Sequence, residues 1–98
     1  MQKRRIIEII RHLVEDPSIQ TEEALKEETF AEIRRIERDF PVRVRANLFA
    51  SKMIDKYVRP HPRRRFTPDG MEILTSSYQH AGSFIFSPPD IPELDGDL

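Results

Sequence analysis

Apolar residues recur with a helical period along most of this chain. Between residues 3 and 14, Ile6, Ile7, Ile9, Ile10, Leu13 and Val14 fall on one half of a helical wheel. Arg4, Arg5, Glu8, Arg11 and His12 fill the other half. That spacing predicts an amphipathic helix, and Asp16-Pro17-Ser18 ends it because proline cannot extend the hydrogen-bond ladder. A second helix is expected from Thr21, a good N-cap followed by Glu22 and Glu23 at the positive end of the helix dipole. Its apolar stripe reads Leu25, Thr29, Ile33, Ile36 and Phe40, widened by Phe30, and Pro41 is read as its stop. Two pairs on its charged surface, Glu22–Lys26 and Arg35–Asp39, stand at i,i+4 spacing.

Residues 42–45, Val-Arg-Val-Arg, alternate with period two and suit a short strand, a loop or a first helical turn. A third helix follows from Ala46, with Ala46, Phe49, Ala50, Met53, Ile54 and Tyr57 on one face. Pro60-His61-Pro62 imposes an extended segment. A fourth helix is expected from Thr67, with Pro68 in the first helical position and Asp69 complementing the dipole. Met71, Leu74 and Tyr78 would share its face and Gly82 would stop it. Residues 83–86 then return as an extended segment or short strand. The elements predict an all-α, four-helix domain, with a short two-stranded element formed by residues 42–45 and 83–86. An α+β arrangement is the alternative.

Composition bounds this picture without changing it. The 98 residues give room for one domain, and 38% apolar with 34% charged residues fits a folded, highly charged chain. We assign residues 1–86 to that domain. Residues 87–98, with three prolines and four acids, read as a mobile acidic tail. The absence of cysteine leaves neither a disulfide framework nor a thiolate metal site. The positive start, Lys3-Arg4-Arg5, resembles the beginning of a signal peptide, but Glu8, Arg11 and His12 interrupt the apolar stretch behind it. No membrane segment is predicted, and a cytoplasmic location is expected.

Charge does change the picture, because the net −1 hides alternating blocks. Residues 1–14 carry four bases against Glu8, and residues 15–41 hold nine acids against four bases. Residues 42–66 hold eight bases and only Asp55, a local charge of +7, whereas residues 67–98 hold six acids and no base. Segregation of this size bears on partners rather than on fold.

Candidate chemistry is sparse. His12, His61 and His80 have no ligand-like spacing, so no metal site is expected. Gly70, Gly82 and Gly96 cannot build a phosphate-cradling loop, and no serine sits in a nucleophile elbow. The chain is therefore expected to be no enzyme and to need no cofactor. One constellation stands out. On the third helix Arg45, Lys52, Lys56 and Arg59 fall within about 60° of one another, opposite the apolar stripe, and Arg63, Arg64 and Arg65 follow. Such a face suits phosphate or carboxylate. It equally suits a solvated helix face paired with the acids of the second helix.

Residues 63–74, Arg-Arg-Arg-Phe-Thr-Pro-Asp-Gly-Met-Glu-Ile-Leu, resemble the segment in which winged-helix regulators leave the wing and enter their last helix. The likeness covers twelve residues. Elsewhere the chain departs from that pattern: its second helix is long, and Pro60 and Pro62 fall where a paired wing strand would run. The family is not assigned on it.

The expected function is a non-catalytic interaction or regulatory module that meets a protein partner through its charged surfaces. Nucleic-acid binding through Arg45, Lys52, Lys56, Arg59 and Arg63 to Arg65 is the alternative. Ile91 and Leu94, apolar residues in the acidic tail, are candidates for docking. The wide apolar half of the first helix would suit a homodimer seam.

Overall fold

The computed structural model describes residues 1–60, 64–66, 69, 72–74, 84–87, 94 and 96–98. Among them are three helices, α1 (Lys3–Val14), α2 (Glu22–Ile36) and α3 (Phe40–Tyr57), and four short strands, β1 (Val58–Pro60), β2 (Arg64–Phe66), β3 (Glu72–Leu74) and β4 (Phe84–Phe86).

The first two helices follow the apolar periodicity. On α1, Ile6, Ile7, Ile9, Ile10 and Val14 are all buried. The turn after it is fixed locally, since the Asp16 carboxylate accepts from the Ser18 backbone N–H (2.9 Å) and from the Ser18 hydroxyl (2.7 Å). Ile19 is buried in passing. Thr21 caps α2 as its sequence predicts, its Oγ1 accepting from the Ala24 N–H at 3.0 Å. Leu25, Thr29 and Ile33 are buried one turn apart along α2. Thr29 tolerates burial because its hydroxyl donates to the Leu25 carbonyl one turn back, at 2.7 Å.

The third helix starts earlier than expected. Residues 42–45 lie within α3 and form no strand, and Pro41 stands in its first turn instead of stopping α2. The physical reason is that a first-turn residue needs no donor, so the proline costs nothing there. α2 ends at Ile36, where the Glu37 N–H donates to Ile33 O at 2.7 Å. Ala46, Ala50, Met53 and Ile54 form the buried face of α3, as the wheel placed them. Phe40, assigned by periodicity to the stripe of α2, is 65% exposed.

The expected fourth helix is the second correction. Glu72–Leu74 is a strand paired antiparallel with β2, with Arg64 opposite Leu74 and Phe66 opposite Glu72. Asp69 sits in a turn between them. Pro68-Asp69-Gly70 reads as a helix start, but the same triplet is turn chemistry when short extended runs flank it. Arg64–Phe66 and Glu72–Leu74 are thus paired strands, and residues 72–74 do not belong to a helix. Met71, Tyr78, Gly82 and His80 lie outside the described residues. The extended return at residues 83–86 is present as β4, but its partner is β1 and not residues 42–45, with Val58 opposite Phe86 and Pro60 opposite Phe84. The described residues, mostly helical with short antiparallel strand pairs, answer to the α+β alternative.

One core unites these elements. Side chains from α1, α2 and α3 pack with Ile19, Val58 and Phe84, and Leu94 and Leu98 close over it partly buried. The chain's last residues are tied to the start of α1. Lys3 N–H donates to Gly96 O (3.2 Å), Leu98 N–H donates to Met1 O (2.8 Å), and Gln2 and Asp97 form an antiparallel bridge. The apolar half of α1 is therefore covered within one chain. No helix of the described residues is long and apolar enough to cross a membrane.

Candidate interaction surface

The cationic residues of the sequence reading divide between two elements. Arg45, Lys52 and Lys56 are exposed along α3, with the ends of the row about 16 Å apart at 1.5 Å rise per residue. Arg59 lies beyond the helix, exposed on β1 opposite Ile85 of β4, and so belongs to no helical face. It still meets the row, because Lys56, Tyr57, Arg59, Ile85 and Ser87 line a shallow groove of about 320 Å³. Arg64 and Arg65 stand on β2, and Arg63 lies outside the described residues.

The expected neutralisation by the acids of α2 takes a different form. The ion pair joining the two helices runs from Lys26 Nζ to Asp55 Oδ1 at 2.5 Å. The base comes from the acidic helix and the acid from the basic one. Arg35 pairs with Glu32 at 2.9 Å, within α2, and not with Asp39. Among the described residues, Arg45, Lys52, Lys56 and Arg59 have no hydrogen bond or ion pair. Their charge is directed at solvent.

Beside this row runs a second feature that the sequence reading missed. Phe40, Val44 and Leu48 succeed one another at i, i+4 and i+8 on α3 and are 65%, 38% and 66% exposed. Leu48 is the i+3 neighbour of Arg45 and the i−4 neighbour of Lys52, so the apolar and cationic rows adjoin. The Arg43 guanidinium lies 5.5 Å from the centre of the Phe40 ring, which holds that ring against the helix start. The spacing was visible in the sequence, but only to a wheel carried through Pro41.

The other candidates lie elsewhere. Leu94 packs on the chain's own core and borders a small groove with Gln2, Arg4, Gly96 and Asp97, at the start of α1. Ile91 lies outside the described residues. A groove of about 410 Å³ between α1 and α2 is lined by both signs of charge, including Arg5, Glu8, His12, Glu32 and Arg35. Among the described residues, no three His, Asp or Glu side chains group as metal ligands would. On α3 an exposed apolar row and an exposed cationic row thus lie side by side.

Comparison of the chain with family models, with curated proteins and with solved structures finds no match.

Proposed function

We propose that this chain is a non-catalytic interaction module that binds an acidic protein partner along the exposed face of α3. One observation carries the reading: the cations of that face lack intramolecular ion partners among the described residues and border an exposed apolar row. Unpaired cations attract an anionic surface and speed encounter, while desolvated apolar contact slows dissociation. A phosphate backbone would use the cations and leave Phe40, Val44 and Leu48 in water, which favours protein over nucleic acid.

Nucleic acid is the second reading. It draws support from the continuation of the row past the helix to Arg59, which lines one groove with Lys56. The test compares two full-length baits, the natural chain and the triple reversal Arg45→Glu/Lys52→Glu/Lys56→Glu, in nuclease-treated extract. Acidic proteins lost on reversal are then purified and rebound to the natural chain. The reading expects direct, salt-sensitive rebinding of at least one of them. Retention of the same proteins by both baits would overturn it. Loss of all partners on nuclease treatment, with binding of a 20-nucleotide single strand that the reversal abolishes, would establish the nucleic-acid reading.

A further inference from the structure

We infer that the partner contributes an amphipathic helix whose apolar residues seat on Phe40, Val44 and Leu48 while its carboxylates meet Arg45, Lys52 and Lys56. This rests on the reading above and specifies the element that α3 recognises. The exposed apolar row climbs α3 for about 12 Å, turning about 40° round the helix at each step toward the cationic side. A row of that shape matches the i, i+3/i+4, i+7 anchors of a second helix lying beside it. The cations continue for two further turns beyond Leu48 along one flank. A longer helix with glutamate or aspartate along one edge would satisfy both features at once.

Charge complementarity decides against the other occupants. A second copy of this chain related by an antiparallel twofold centred on Val44 would set Arg45 beside its own image, where like charges repel, and would leave Lys52 and Lys56 beyond the end of the other α3. A parallel twofold would set the cations against the flank beyond the apolar row, where Asn47 carries no charge. A helix that lies in a membrane surface carries cations across its whole polar face. Here the cations keep to one flank, the far flank holds the uncharged Asn47, and the Asp55–Lys26 pair stands in line with Leu48 two turns on.

The experiment uses the full chain and three designed helical peptides of equal length. One has leucines at i, i+4 and i+7 with glutamates on the flank, one keeps the leucines with lysines on the flank, and one keeps the glutamates with serines for the leucines. Fluorescence anisotropy reads affinity and amide chemical shifts read the site. The inference expects the leucine–glutamate peptide to bind with shifts concentrated at residues 40–56, and each of the other two to bind at least about tenfold more weakly. Leu48→Ser and Phe40→Ser, both at exposed positions, should each weaken the first peptide by about tenfold with unchanged circular dichroism.

Equal binding of the leucine and serine peptides would overturn the helix-seat inference. If Arg45→Glu/Lys52→Glu/Lys56→Glu abolished that binding, the acidic-partner reading would survive it. Peptide affinity untouched by the triple reversal would overturn both. A molar mass of two chains that Leu48→Ser reduces to one would assign the row to a second copy. Binding to phosphatidylserine vesicles that is lost in Leu48→Ser would assign it to a membrane surface. Either result would overturn the inference.

Discussion

Lys26 Nζ stands 2.5 Å from Oδ1 of Asp55, so the acidic helix is tied to the basic one through the minority charge of each. The pairing leaves the majority charges of α3 facing outward. It also removes from that face the one acid within the +7 block. The pair is solvent-accessible, with side chains 27% and 57% exposed, and so contributes little to stability. In 0.15 M salt, a double-mutant cycle of Lys26→Met and Asp55→Asn should give a coupling of about 0.2–1 kcal/mol. Raising the salt should shrink it. A coupling above about 2 kcal/mol, measured by urea unfolding, would contradict the assignment of the pair to the surface.

Ile54 and Leu48 are six residues apart on one helix, fully buried and 66% exposed respectively. Ile54→Ala removes apolar volume from the core and should cost about 2–5 kcal/mol. Leu48→Ala should change stability by no more than about 0.5 kcal/mol, because no core contact depends on it. Chemical denaturation of the two variants measures the contrast. A large cost for Leu48→Ala would mean that the row on α3 is spent inside the chain and is not open to a partner.

Helix positions were legible in the sequence where apolar periodicity and capping agreed. The isoleucines of α1 and the Thr21 cap of α2 needed no tertiary information. Reading failed where one residue type serves two purposes. Pro41 follows a helical stripe, which suggests a stop, yet it occupies the first turn of the next helix. That single choice moved Phe40 into the wrong helix, left residues 42–45 open between strand, loop and helical turn, and hid the row Phe40–Val44–Leu48. The sequence Pro68-Asp69-Gly70 suits either a helix start or a turn, and of the described residues Asp69 lies in a turn between the paired strands β2 and β3. The cationic row was legible because charge is written in composition. Its freedom from α2 was not, because ion pairing depends on which side chains two helices bring together.

Asp16 titrates below its usual value of 3.8, first because the Ser18 backbone N–H donates to its carboxylate and then because the Ser18 hydroxyl does. His12 adds a smaller electrostatic contribution. A carboxyl whose folded pKa is depressed stabilises the fold above its unfolded value, and that stabilisation is lost as pH falls through the folded pKa. The turn between α1 and α2 should therefore loosen only in acid, below pH 3.8. Ser18→Ala keeps the backbone donor and removes the hydroxyl, so the Asp16 pKa should rise part of the way to its ordinary value. Carboxyl carbon shifts followed against pH measure it directly. An unmoved midpoint would show that the hydroxyl contributes nothing.

The start of α1 has an electrostatic deficit that the end of the chain corrects. Its first turn holds no acid, its N-cap Gln2 makes no side-chain cap, and Lys3, Arg4 and Arg5 crowd the positive end of the dipole. Gly96 O accepts the Lys3 N–H there, and Asp97 bridges to Gln2. Leu94 and Leu98 add apolar contact with the core. Removing residues 94–98 should therefore cost about 2–3 kcal/mol, the sum of two backbone hydrogen bonds and partial burial of two leucines. Hydrogen exchange should quicken first in the opening turn of α1. Because these residues meet α1 and not the cations of α3, the truncated chain should bind the leucine–glutamate peptide as the full chain does, at a temperature where both are folded. Tighter peptide binding on truncation would mean that the acidic terminus competes for the α3 face. Unchanged stability would mean that the contacts with Met1, Gln2 and Lys3 are not maintained in solution.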